Sequence, residues 1–99
     1  MKIYISGGIT GVSNYQAHFD GAQAGLESKG YEVINPAAVN AQLPESTTYE
    51  EYMEMSHTML DMADVIFMLI GWEESSGASW ELQHAIAKKM IIVFEGGKK

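Results

Sequence analysis

Apolar and polar positions along this chain alternate between two periods. Four apolar runs have strand length and are rich in β-branched or aromatic residues: Lys2–Ser6 (KIYIS), Tyr31–Ile34 (YEVI), Asp64–Ile70 (DVIFMLI) and Met90–Phe94 (MIIVF). Each predicts a buried strand. The segments between them repeat at helical spacing. Tyr15, Phe19, Ala22 and Leu26 predict a helix from Asn14, with Ser13 or Asn14 as N-cap and Lys29-Gly30 as its stop. Asn35-Pro36 halts the second strand, and Pro44 marks 37–46 as a loop holding at most one short helical turn. Thr48-Tyr-Glu-Glu51 has the form of a capping box, and the stripe beyond it reads Tyr49, Tyr52 or Met53, Met59 or Leu60, then Ala63. Ala78, Leu82, Ala85, Ile86 and Lys89 define a last helix that opens at Ser75-Ser76-Gly77 and runs to about Lys89.

The order is β-α-β-α-β-α-β. Strands separated by helices of this length run parallel through right-handed crossovers, so the fold class is α/β: a small doubly wound parallel sheet of about four strands with helices on both faces. Ligands of such sheets bind beyond the carboxyl ends of the strands, where the strand order reverses. That rule brings Gly7–Gly11, Asn35-Pro36 and Gly71–Gly77 to one rim.

Composition narrows the reading further. With 99 residues and 46% apolar content, the chain suits one domain over 1–95 and a loose tail at 96–99. A core this small leaves patches to cover, which predicts a homo-oligomer using the seven methionines and the aromatic side chains. A net charge of −7 disfavours a nucleic-acid partner, which requires clustered Lys and Arg. The absence of cysteine removes disulfide and thiolate chemistry. No apolar run approaches the ~18 residues of a membrane span, and the default location is cytoplasmic.

Candidate chemistry gathers at Gly71-Trp-Glu-Glu-Ser-Ser-Gly-Ala-Ser-Trp-Glu81, where a buried strand feeds into a helix start. Backbone N–H groups and a partial positive charge at such a start attract anions. Glu81 falls at the margin of the inward face, where an ionised carboxylate is available as a nucleophile. The bland reading is an early-helix glutamate paired with His84 at i+3. Glycines at 7, 8 and 11 either admit a ligand to the backbone or merely make a tight connection. Ser56 faces inward, and the ordinary partner for such a serine is a helical carbonyl four residues back. Trp72 and Trp80 serve either as a base-stacking surface or as interface packing. Glu73-Glu74 forms an acidic rim. His18, His57 and His84 have no ligand spacing, so neither a metal site nor a cofactor is expected.

Three stretches carry a resemblance: Ile3-Tyr-Ile-Ser-Gly-Gly-Ile-Thr-Gly11, the Ala63-Asp64 pair leading into the third strand, and Ser75-x-Gly-Ala-x-x-Glu81. Together they resemble the nucleoside 2-deoxyribosyltransferase superfamily, and most closely its small, often phage-borne DUF4406 branch. There a tyrosine-rich helix, a Gly-Trp-Glu turn and a small-Gly-x-x-x-Glu helix start occur in this order. The resemblance implies a flavodoxin-like oligomer that cleaves the N-glycosidic bond of a deoxynucleoside or deoxynucleoside 5′-monophosphate, by transfer or hydrolysis. It makes Glu81 the nucleophile on the anomeric carbon and Tyr4 the residue that orients it, with Gly7, Gly8, Ile9 and Thr10 around sugar or phosphate. Ser75, beside Gly77, matches relatives that use monophosphates, although those carry arginine at the position of Thr10. Ser56 stands where the family places an aspartate that protonates or holds the departing base. That departure raises an alternative: a nucleotide-binding module of little or no catalytic power.

Overall fold

A computed structural model describes residues 1–9 and 12–97. Four strands, β1 (Lys2–Ser6), β2 (Glu32–Ile34), β3 (Val65–Met68) and β4 (Ile91–Phe94), form one parallel sheet in the order β2-β1-β3-β4. Register runs Ile3 against both Val33 and Val65, and Val65 against Ile91. The chain moves outward from β1 to β2, crosses back to β3 and continues to β4. Strand order therefore reverses between β1 and β3, as the expected flavodoxin-like arrangement requires.

Alternation along the strands divides the core in two. Tyr4, Ile66 and Met68 face a cluster completed by Leu60, Ala78, Leu82 and Ala85, drawn from α3 (Tyr49–Asp61) and α4 (Ser76–Ala87). Ile5 and Leu69 pack with Phe19 of α1 (Tyr15–Glu27) and Ala37 of α2 (Pro36–Asn40). On the edge strand, Ile91 and Val93 remain exposed.

Local chemistry explains where the elements begin. The capping box at α3 forms in full: Thr48 Oγ accepts from Glu51 N at 3.1 Å, and Glu51 Oε1 accepts from Thr48 N at 2.8 Å. Asn14 does stand at the N-cap of α1, but in left-handed backbone (φ 60°) with no side-chain cap bond. Its contribution is the turn, a conformation that asparagine tolerates better than most residues. The expected halt at Asn35-Pro36 is the start of α2, with proline in the first turn.

Strand β3 is shorter than the apolar run around it. Asp64 just precedes it, its backbone still bonded to Lys2 and Ile91 and its carboxylate accepting from Lys2 N at 3.0 Å, and Ile70 N donates to Glu95 Oε1 at 2.8 Å. Glu95 also contacts His18 Nε2 at 2.8 Å, so the chain just beyond β4 is anchored; of the expected loose tail, Lys98 and Lys99 lie outside the described residues.

Asn35 ties the layer over β2 together. Its Oδ1 accepts from Ala38 N at 3.1 Å, and its Nδ2 donates to Asp20 and Gln23, both at 2.9 Å. Asn35→Ala removes a cap and two side-chain bonds from a buried site. The expected loss is about 2 kcal/mol, read from the midpoint of urea denaturation.

Candidate active site

A cavity of about 520 Å³ opens at the carboxyl ends of β1 and β3. That is within the range of small-molecule sites, roughly 300–1,000 Å³. Gly7, Gly8 and Ile9 from the loop after β1, Pro36 at the start of α2, and Gly71 with Ser75–Gly77 before and within α4 contribute to its wall. The three rim segments expected from the strand order therefore do converge.

Glu81 is the buried acid of this wall, with 6% of its surface exposed. One carboxylate oxygen accepts from the Tyr4 hydroxyl at 2.7 Å and the other from Ser6 Oγ at 2.6 Å. Both donors come from β1, two residues apart, so the pleat aims them at the same face. A rigid strand thereby fixes a side chain presented by a helix 75 and more residues away.

Electrostatics at Glu81 differs from expectation. Burial raises its pKa above the ordinary glutamate value, opposed by the hydrogen bonds from Ser6 and Tyr4 and by the charge of His84. Burial therefore outweighs the hydrogen bonds and the His84 charge that favour the anion. His84 makes its close contact elsewhere, with Asp61 at 2.8 Å. The Tyr4 phenol is raised well above its usual range, first by burial and then by the Glu81 charge, so it remains a donor.

Ser56, buried on α3, lies beside the Tyr4 phenol and partly offsets the rise in its pKa, next to the chain Tyr4–Glu81–Ser6. No aspartate lines the cavity among the described residues. Asp64 serves the amino end of the sheet, and Asp61 is engaged with His84 and Lys88.

Tyr4, Gly7, Gly8, Ile9, Ser56, Ser75, Gly77 and Glu81 all line the cavity. Thr10 lies outside the described residues. Trp72 is not part of the wall: it packs on the α3–α4 core, tilted against Phe94 with ring centroids 6.1 Å apart. Trp80 stacks on His57 at 3.7 Å and on His84 at 5.0 Å, also away from the wall.

The glycines of the first loop have separate reasons. A Cβ on Gly7 would meet Leu69 at 2.8 Å, a packing constraint from inside the protein, whereas one on Gly8 would meet Val12 at 3.2 Å and Ser75 at 3.6 Å. Ser75 is the N-cap of α4, its hydroxyl accepting from Ala78 N at 3.1 Å.

Sequence reasoning missed Ser6, although strand alternation from Tyr4 contains the signal. It also missed the aromatic wall of Tyr15, Tyr49 and Tyr52, whose placement depends on how α1 and α3 close over the sheet. Among the described residues, no cluster of three or more His, Asp or Glu is placed to hold a metal, and no helix is long and apolar enough to cross a membrane.

Comparison with known proteins agrees with this architecture. The family described as Domain of unknown function (DUF4406) matches residues 1–94. A solved structure of the 2-deoxyribosyltransferase from the psychrotolerant bacterium Bacillus psychrosaccharolyticus superposes with a TM-score of 0.78. The match covers 95% of this chain and 71% of that one at 20% identity, and it establishes a shared fold. No curated protein matches the sequence.

Proposed function

The chain belongs to the DUF4406 family, and from that premise we propose that it cleaves the N-glycosidic bond of a deoxynucleoside or deoxynucleoside 5′-monophosphate, with Glu81 as nucleophile. One observation carries the reading: a buried carboxylate, held through both oxygens, in the wall of a cavity of nucleoside size. A group fixed in this way meets a reacting carbon without first having to be ordered.

In the first step a Glu81 oxygen bonds to C1′ as the C1′–N bond breaks. The bonding pair leaves on the base nitrogen, which takes up a proton from solvent. In the second step water or another base attacks C1′ and frees the carboxylate, giving net retention. Tyr4 and Ser6 hold the carboxylate in one orientation throughout.

The experiment is incubation with a panel of deoxynucleosides and their monophosphates, following free base by chromatography. Wild type is expected to release base and Glu81→Ala to release none; equal release by both rejects the reading.

The raised Glu81 pKa gives a second check. Glu81 must be deprotonated to attack, so activity rises with pH along an acid limb lying above the ordinary glutamate range. Tyr4→Phe preserves packing but removes a bond that favours the anion. Its limb is expected at still higher pH, with activity at neutral pH about tenfold lower. An unmoved limb assigns the ionisation to another group.

A second reading, a nucleotide-binding module of little turnover, is favoured by the lack of a cavity aspartate among the described residues. Missing general-acid help costs about 10²–10⁴-fold. Thermal stabilisation by nucleosides without base release supports the module, and turnover gained in Ser56→Asp identifies the missing proton donor.

A further inference from the structure

We propose that the Tyr49 hydroxyl donates the proton to the departing base, the part that an aspartate at the position of Ser56 would otherwise play. The proposal rests on the glycosidase reading above and adds a catalytic group to it. Its basis is where α3 carries that hydroxyl. Tyr49, Met53 and Ser56 follow one another at spacings of four and three, so they share one face of α3, and all three line the cavity. Ser56 is buried beside Tyr4 at the inner end of this stripe, whereas Tyr49 stands about two turns upstream with 54% of its surface exposed.

The Tyr49 side chain crosses to the first turn of α4: a Cβ built on Gly77 would meet Tyr49 Oη at 3.7 Å and Met53 Sδ at 3.6 Å. Gly77 precedes Glu81 by four residues, about 6 Å along the helix, and both line the cavity. The phenol and the carboxylate thus meet neighbouring turns of one wall, so a sugar carbon at Glu81 and a base at Tyr49 can belong to one nucleoside. Among the described residues, the Tyr49 hydroxyl makes no hydrogen bond within the protein, whereas the Tyr4 phenol is committed to Glu81. Serine is too weak an acid for this task near neutral pH, and tyrosine is among the side chains that perform it. As the C1′–N bond breaks, its electron pair stays on the base, the Tyr49 proton moves to a base nitrogen, and the phenolate left behind regains a proton from solvent.

The test follows base release in a single turnover by wild type, Tyr49→Phe and Tyr52→Phe. Each deoxynucleoside that wild type cleaves in the panel above is compared with an analogue whose base needs less help to leave. For a purine this is the N7-methylated form, whose cationic base departs neutral without taking up a proton; for a pyrimidine it is the 5-fluorinated form, whose base departs more readily as an anion. Tyr49→Phe is expected to slow release of the ordinary base by at least about 10²-fold and of the activated base by less than about threefold. Loss of a packing contact would slow both alike. Tyr52, which also lines the cavity, is the control, and Tyr52→Phe is expected to show no such split. Tyr49 is exposed and loses one oxygen, so its variant is expected to fold, which thermal denaturation checks. Equal slowing of both bases, slowing of neither, or the split appearing in Tyr52→Phe instead overturns the proposal while leaving Glu81 as the nucleophile. A panel in which wild type releases no base removes the glycosidase reading, and this proposal with it.

Discussion

Glu81→Gln is expected to lower turnover by at least about 10⁴-fold while making the folded protein more stable at pH 7–8. The loss follows from removing the group proposed to form the covalent bond, which in enzymes built around one nucleophile typically costs several orders of magnitude. The gain follows from burial. Glu81 has its pKa raised in the folded state, so the folded chain holds that proton more tightly than the unfolded chain does. Stability from such a group is fully present below the unfolded pKa and is lost as pH rises through the folded one. Wherever Glu81 is ionised, wild type carries a charge that its burial disfavours, whereas glutamine carries none. A gain of about 1 kcal/mol is the scale found when a functional site is relieved of such a conflict. In thermal denaturation across pH, the two proteins should converge below the ordinary glutamate pKa, where Glu81 is protonated in both states, and separate above it. Glutamine destabilising the fold at pH 7–8 would show that the Tyr4 and Ser6 bonds outweigh the desolvation.

Leu60→Ala is the substitution expected to damage the fold most. Leu60 is fully buried between the sheet and α4, packed with Tyr4, Ile66, Met68 and Leu82. Truncating a leucine at such a position loses its transfer free energy and leaves a cavity, for about 3–5 kcal/mol. A domain of this size has only about 5–15 kcal/mol to lose. Leu60 lies one helical turn after Ser56, so the same cavity also loosens a helix face that lines the candidate site. Urea denaturation should show a large fall in midpoint for Leu60→Ala and less than about 1.5 kcal/mol for Leu60→Met, which keeps the volume. Similar, small losses for both would mean that α3 is not locked to the sheet through this residue.

Much of this architecture is legible along the chain because its signals are local. Four apolar runs, the Thr48–Glu51 box and the Ser75 cap each depend on a few neighbouring residues, and parallel pairing then follows from the helices between the strands. The rim was legible by the same route, since strand order alone decides which loops meet. What escaped was set at long range. The pKa of Glu81 depends on how deeply it is buried, and its two hydrogen-bond donors lie on a different element, β1. Trp72 precedes the helix start in sequence, as a base-stacking residue would, yet the 3-10 turn carries its ring to the core beside Phe94. Ser6 looked only like the end of a strand, although its alternation with Tyr4 puts it on the face that meets the carboxylate from α4.

The central claim is that a Glu81 oxygen bonds covalently to a deoxyribose carbon. Its most direct test uses a 2′-fluoro-substituted deoxynucleoside, whose electronegative substituent destabilises the oxocarbenium-like transition state and slows breakdown of the intermediate. After incubation, proteolysis and mass spectrometry, the account predicts a peptide carrying the sugar as an ester at Glu81, absent from Glu81→Gln. A wild-type protein that releases base yet carries no sugar on any peptide, or carries it on another residue, would contradict it.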